Sequence, residues 1–410
     1  MAHFALICPP FASHIHSFAA LGEELVRRGH RATFVLNAGA DTGATALAVE
    51  RVQGRSGDPA LTRVMRSATR PSGLMGTLRT IADSAALTDQ LCAGAPAILR
   101  RLGVDAIIAD QLEPAGGLVA AGLGLPFVSL AAALPINRAP GVVLPFLDWP
   151  YDSSPRGLKR VRGAERIERL LSRRQHRVIA RWSDRFGLEP RRRTLHDCLS
   201  PDTQVAQVVC GYDLPRPEPL PFEGVGPIRR PEEEAGGDQL PFAFDPSRPL
   251  VFATFGTLQG GRIHLFRAIA DACREAGADL LVVHGGQLST AQAKGIGATF
   301  ITDFVPYRAV LKRATLCITH GGSNTVLDAL ACAVPLLVRP VAFDQKGNLA
   351  RILHHGFGER LARRGIAGQI RQLLGDPTYQ ARCSRIAHEI AQAGGRARAA
   401  DIAEGVLARR

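Results

Sequence analysis

Aromatic side chains are scarce in this chain: they make up 6 % of its 410 residues, with only two Trp and four Tyr. No module that reads RNA or DNA can be traced in it either, so the net charge of +13 does not by itself make a nucleic-acid-binding protein. The eight cysteines form no Cys-x-x-Cys pair, and none stands at metal-ligand spacing from a histidine. That excludes a zinc ribbon and predicts reduced thiols, as in a cytoplasmic protein. Asp-x-Asp is absent too, so no metal is expected at a functional site. The first ten residues have no basic start, and no small-residue cleavage site follows them, so no signal peptide is expected. One stretch, Pro114 to Asn137, lacks charge for the length of a membrane span, but Gly116, Gly117, Gly122, Gly124, Pro126 and Pro135 interrupt it. It reads as a buried helix followed by a buried strand.

What is present is an α/β pattern written twice. His3 to Cys8 is a compact apolar strand, Phe18 to Arg28 has helical spacing, and Arg31 to Leu36 is the next strand. This is the opening of a doubly wound parallel sheet, whose functional loops lie beyond the strands' carboxyl ends. Pro9 to His16 is therefore read as a loop in the ligand crevice, and Asp110 stands at the end of a strand from Val104 to Ala109. Asp41 to Arg70 gives no clear pattern, and Leu74 to Leu102 reads as helix broken near Gly94 and Pro96. Val205 to Cys210 reads as the last strand of the first half. The Pro- and Glu-rich composition after Leu214 marks a boundary. The expected domains are 1–226, a linker 227–247, and 248–410, with the last helix packing back on the first domain. In the second half, Leu250 to Phe255 ends in Gly256-Thr257. Strands and helices then alternate up to two final helices.

The most informative stretch runs from Phe304 to Asn348. Thr315 to Thr319 is a short β-branched strand, followed at once by His320-Gly321-Gly322-Ser323-Asn324-Thr325. The glycines permit close backbone approach, and Ser323, Asn324 and Thr325 suit the start of a helix that runs to Ala331. Strand, glycine turn and helix together aim free N–H groups and a positive dipole end into a crevice, which suits a phosphate. Asp328 lies one helical turn on, and Asp344-Gln345 follows a second strand. A diphosphate at the helix terminus would leave a ribose near Asp328 and a sugar near Asp344 and Gln345, whose oxygens accept from hydroxyls.

These residues resemble the donor-binding signature of the UDP-dependent family 1 glycosyltransferases. In that family a His-x-Gly-x-Asn core with Ser or Thr is followed by an acid, a proline and an acid–Gln pair. His320, Gly322, Asn324, Thr325, Asp328, Pro335, Pro340, Asp344 and Gln345 fill every slot. Within the family the chain is most similar to bacterial zeaxanthin (carotenoid) glucosyltransferases, through the runs Asn324 to Leu330 and Ala342 to Gln345. Pro9-Pro10-Phe11 and the segment from Asp110-Gln111 to Pro114-Ala115-Gly116 match as well, so the likeness covers nearly the whole chain. The resemblance implies two facing Rossmann-like domains (the GT-B fold) across a cleft, with acceptor in the first and donor in the second. It implies UDP-glucose as donor substrate and no separate cofactor. Trp and Gln usually lie against the uracil in this family. Here Phe304 and Tyr307 stand in those slots, on either side of Val305-Pro306, which leaves a dTDP donor open.

Joining a sugar to an alcohol needs a base for the hydroxyl proton and stabilisation of the departing diphosphate. His14 is the candidate base, since an imidazole titrates near neutral pH. The family's His at this position is oriented by an Asp, which Asp110 matches, although Ser13 replaces the usual Gly. His16 is the alternative. The leaving charge is expected to fall to the 321–325 helix terminus, His320, Ser323 and the Gly256-Thr257 turn. Direct displacement inverts the anomeric centre.

Acceptor choice belongs to the first half, where Pro135 to Pro155 carries five prolines with Phe146, Leu147, Trp149 and Tyr151 and reads as a loop lining an apolar cavity. A hydrophobic hydroxylated acceptor follows, either a carotenoid or a macrolide, polyketide or phenol. From Arg156 to Arg193 there are fourteen Lys or Arg against four acids. A basic helix over Gly163 to Phe186, with Ile167, Leu170, Leu171, Val178, Trp182 and Phe186 near one face, is expected to meet an anionic membrane surface through Trp182.

Overall fold

The computed structural model describes residues 1–53, 61–64, 73–235 and 240–409. Among the described residues thirteen parallel strands form two sheets. In the first half β1 (His3–Ile7), β2 (Arg31–Leu36), β3 (Ala48–Arg51), β4 (Ala106–Asp110), β5 (Phe127–Ala131), β6 (Gln204–Ala206) and β7 (Glu223–Gly224) lie in the order 3-2-1-4-5-6-7. In the second, β8 (Leu250–Thr254), β9 (Asp279–Val283), β10 (Phe300–Thr302), β11 (Leu316–Thr319), β12 (Leu336–Val338) and β13 (Gly358–Arg360) lie in the order 10-9-8-11-12-13. Each sheet runs outward from its first strand in one direction and returns on the other side, so each has a switch point, between β1 and β4 and between β8 and β11. The central strands are buried along their whole length because helices cover both faces.

The first-half helices are α1 (Ala12–Arg27), α2 (Gly73–Leu102), α3 (Pro114–Leu123), α4 (Pro155–Leu171) and α5 (Arg173–Arg185). Four sequence expectations change here. The first helix begins six residues earlier than its apolar spacing indicates, so His14 and His16 lie within its first five residues and not on a loop. The helix of α2 continues through Gly94 and Pro96, because Gly94 is where it crosses Val52: a Cβ there would lie 2.8 Å from the valine side chain. The basic segment divides at Ser172 into two helices. The last strand is β7 and not the Val205–Cys210 segment, since the chain after Ala206 leaves the sheet. Of the unpatterned Asp41–Arg70 segment, 54–60 and 65–70 lie outside the described residues.

The connection includes a short helix, α6 (Pro231–Ala235); residues 236–239 of its Glu- and Gly-rich run lie outside the described residues. The second half then has α7 (Gly256–Gln259), α8 (Ile263–Glu275), α9 (Thr290–Lys294), α10 (Tyr307–Leu311), α11 (Ser323–Ala331) and α12 (Gln345–His355). Three helices close the chain where two were expected: α13 (Ile366–Gly375), α14 (Pro377–Gln392) and α15 (Gly395–Gly405). Ala399, Ala400, Ala403 and Val406 join the core of the first half, beside Phe18 and Leu25 of α1, so the end of the chain straps the two halves together.

Among the described residues no helix is long and apolar enough to cross a membrane. The uncharged Pro114–Asn137 segment is the buried helix α3 and strand β5, as its glycines and prolines indicate.

Candidate functional site

Both switch points open on one cleft. On the first-half side, β1 leads straight into α1 while β4 ends at Asp110, its neighbour in the sheet. His14 and Asp110 are therefore brought together from 96 residues apart, with His14 Nδ1 donating to Asp110 Oδ2 at 2.7 Å. The other Asp110 oxygen accepts from the Leu112 amide at 2.8 Å, which fixes the carboxylate. With Nδ1 committed, Nε2 is the nitrogen left for a substrate proton. Burial alone would push this imidazole down, but the charge and hydrogen bond of Asp110, with Asp344 across the cleft, outweigh it and hold the pKa above the ordinary value. His16 is engaged elsewhere: its Nε2 lies 2.8 Å from Glu233 in α6.

On the second-half side the strand–glycine–helix unit is as the sequence implies. Gly321 has φ +89° and Gly256 φ +68°, backbone that side chains disfavour. A Cβ on Gly256 would lie 3.1 Å from His320 and one on Gly322 2.7 Å from it, so the imidazole is wedged between two glycines. Burial, more than any neighbour, drives the His320 pKa down to about 4. It therefore offers the crevice a hydrogen bond and no charge. Thr257 is exposed beside it.

The amino end of α11 is free of side-chain caps, as a phosphate site requires. Ser323 Oγ donates to Asp344 Oδ2 at 2.6 Å, which sets Asp344 over the helix terminus. Asn324 Nδ2 reaches across the cleft to the carbonyl of Ser13 at 3.3 Å, joining the donor helix to the turn that carries His14. Thr325 is buried behind it. Gln345 is only 4 % exposed, and its carbonyl accepts from the amides of Val341 and Ala342 at 2.7 and 2.8 Å. Only its N–H groups remain for a ligand, so of the expected pair of sugar acceptors Asp344 alone is available.

Tyr307, Val305 and Asp328 are placed differently from the sequence reading, while Phe304 follows it. Tyr307 is turned inward, its hydroxyl 2.8 Å from Thr254 Oγ1 and its ring edge-on to Phe252, while Val305 packs on the same core. Phe304 is 65 % exposed beside the Gly285-Gly286 turn and is the ring free to stack on a base. Asp328 is 8 % exposed, and its Oδ1 accepts from Arg229 Nε at 3.0 Å, so only Oδ2 is left to meet a ribose.

Sequence reasoning missed Arg229 and also Tyr212 with Asn348. The buried Tyr212 hydroxyl donates to Asn348 Oδ1 at 2.6 Å, and Asn348 Nδ2 donates to the Gly321 carbonyl at 2.9 Å. A first-half residue thus fixes the glycine turn of the second half. Each acts on groups far away in the chain, and nothing local marks it.

Apolar surface also lines the cleft. Leu112 is 42 % exposed just past Asp110, and Phe343 41 % exposed just before Asp344. Phe11 stands between the two halves, its ring 6.0 Å from that of His14 and 5.8 Å from that of Phe343. The proline-rich loop joins them, since Pro145 O accepts from the Gly347 amide at 2.8 Å and Phe146 beside it is 44 % exposed.

Comparison with known proteins agrees with this layout. The profile of the erythromycin biosynthesis protein CIII-like C-terminal domain matches residues 282–404. Zeaxanthin glucosyltransferase of Pantoea ananas is 42 % identical over 99 % of this chain and 96 % of its own, and that of Pseudescherichia vulneris is 42 % identical over 100 % and 98 %. Among solved structures, the calicheamicin glycosyltransferase CalG4 superposes with a TM-score of 0.76 at 21 % identity, covering 100 % of this chain and 99 % of that one. The glycosyltransferase VinC in complex with dTDP gives 0.65 at 20 % identity, with full coverage of both chains. The chain belongs to the family of the zeaxanthin glucosyltransferases, the carotenoid-glucosyltransferase-like members of glycosyltransferase family 1, and has their GT-B fold.

Proposed function

We propose that this enzyme transfers glucose from UDP-glucose to a hydroxyl of a long hydrophobic acceptor, a hydroxylated carotenoid such as zeaxanthin, with inversion and without a metal. The observation that carries the reading is the His14–Asp110 pair at 2.7 Å, held to the donor helix through Ser13 and Asn324. His14 Nε2 takes the acceptor proton, the alkoxide oxygen bonds to the anomeric carbon from the face opposite the diphosphate, and the bond to UDP breaks. Asp110 keeps Nδ1 protonated and stabilises the imidazolium that forms. Attack from the opposite face converts an α-linked donor into a β-glucoside. Leu112, Phe146, Phe343 and Phe11 give the cleft an apolar lining suited to such an acceptor.

Product mass spectrometry with UDP-glucose and dTDP-glucose, each offered hydroxylated carotenoids and phenols, tests donor and acceptor together. The anomeric proton coupling of the product tests inversion. An α-glucoside, or glucosylation of phenols alone, would overturn the reading.

An acceptor of this kind dissolves in membranes, and we take the enzyme to work from the cytoplasm at an anionic bilayer surface. The surface differs from the one expected. Trp182 is only 8 % exposed and its Nε1 donates to Asp89 at 2.6 Å, so α5 faces the core. On α4, by contrast, Ile167 and Leu170 are 59 % and 50 % exposed among arginines, one helical turn apart on one face.

A further inference from the structure

A nucleotide diphosphate brings two or more negative charges into its site, and the groups assigned to receive it bring none. His320 is neutral, and the α11 terminus supplies a partial charge. The register of the second sheet shows where a cation stands. Thr254 of β8, Thr319 of β11 and Val338 of β12 lie side by side at the carboxyl ends of their strands. His320 and Arg339 are the next residues after the last two. After β8 the chain turns through α7 and Gly260-Gly261 and places Arg262 at the amino end of α8.

Arg262 is half-buried, and its Nε is sealed from solvent with no hydrogen-bond partner. No ion pair reaches Arg262 or Arg339 among the described residues. Buried guanidinium groups ordinarily find carboxylates, as Arg229, Arg351 and Arg216 do here. Burial and then the like charge of Arg339 weaken the hold of Arg262 on its proton, and Arg262 in turn helps keep His320 neutral. Two cations that repel one another stand near a neutral imidazole, an arrangement that suits an anion.

We propose that Arg262, assisted by Arg339, binds the diphosphate of the nucleotide-sugar and stabilises it as the bond to the anomeric carbon breaks and its electron pair passes to the phosphate oxygen. This rests on the donor reading above and assigns the charge that reading lacked. A guanidinium does so and keeps its charge at any pH where the enzyme works, while His14 on the opposite side of the cleft takes the proton of the acceptor.

The test is calorimetric titration of the whole chain with UDP and with uridine, for wild type, Arg262→Met and Arg262→Lys. Charged hydrogen bonds of this kind are worth roughly ten- to a hundredfold in affinity. Arg262→Met is expected to lose about that factor for UDP and none for uridine, with Arg262→Lys recovering part of it and turnover following the same order. An unchanged preference for UDP over uridine in Arg262→Met overturns the assignment. Equal loss of uridine binding overturns it as well, in favour of a structural role. If wild type itself shows no preference for UDP, the donor reading falls first, a result distinct from both.

Discussion

The two halves of this enzyme carry one sheet plan, and each sets a histidine at its switch point, yet the two imidazoles are tuned in opposite directions. His14 has a carboxylate at 2.7 Å and is raised above its ordinary pKa. His320 has glycines on either side, no carboxylate, and falls to about 4. The fold therefore fixes where a ligand group meets an imidazole, and the neighbouring side chain decides whether that imidazole trades protons or stays a neutral hydrogen-bonding group. In the first half the neighbour is Asp110, which strand order alone delivers. In the second half the neighbours are Gly256 and Gly322, which bring no charge.

The sharpest way to break this contrast is to remove the first-half imidazole. His14→Ala is expected to lower kcat by about a thousandfold, within the range general-base groups contribute, with UDP affinity unchanged because the donor half is untouched. Transfer assays paired with UDP titration check both. Near-normal turnover would reduce His14 to a wall of the cleft.

Asp110→Asn comes next. The amide still occupies the position but cannot stabilise the imidazolium, and a loss of roughly a hundredfold in kcat/KM is expected. The pH profile is the more telling readout. On the proposed role of His14 transfer needs the neutral imidazole, so in wild type the rate is expected to fall as pH drops through a value above the ordinary imidazole range. Without the Asp110 charge, burial dominates and that limb moves to lower pH. A limb that stays in place would mean another group sets it.

The halves were also unequally legible. The donor side is one local unit, strand, glycine turn and helix, so consecutive residues from Leu316 to Ala331 spelled it out and the structure follows them closely. The His14–Asp110 pair joins residues 96 apart, and Asp110 was a candidate through its place at a strand's carboxyl end together with the family resemblance. The start of α1 was hidden because Ser13, His14 and His16 break the apolar spacing that Ile15 and Phe18 continue. Trp182 misled for a related reason. An amphipathic pattern gives a helix two faces without saying which one is covered, and α5 turns its tryptophan toward Asp89. Arg262 could not be read at all, since its role comes from a partner it does not have.

A smaller effect separates the halves by backbone. Gly322→Ala keeps an ordinary φ, but its Cβ would sit 2.7 Å from His320 Nε2. The ring must shift, and overpacking of this kind costs about 1–3 kcal/mol, which is expected as roughly a tenfold or greater rise in donor KM. Ser13→Ala, the matching change in the first half, is expected to do almost nothing, because Ser13 contributes only its carbonyl to Asn324. Steady-state kinetics on the two variants compare them directly, and equal effects would deny that the donor half alone depends on glycine.

The smallest expected effect concerns the surface, where the basic residues of the first half are gathered on one segment. The first half carries the fourteen basic residues between Arg156 and Arg193, and on α4 they flank the exposed Ile167 and Leu170. Replacing both with Glu removes the apolar anchor and opposes an anionic surface while touching no core, so stability should stay within about 0.5 kcal/mol. Sedimentation with vesicles rich in anionic lipid is expected to fall several-fold, and wild-type sedimentation should itself weaken at high salt, because screening shortens the reach of the arginines. Transfer to a water-soluble acceptor should not change, since α4 contributes nothing to the His14–Asp110 pair. If wild type sediments equally with neutral and anionic vesicles, the arginines of α4 are only a solvated face.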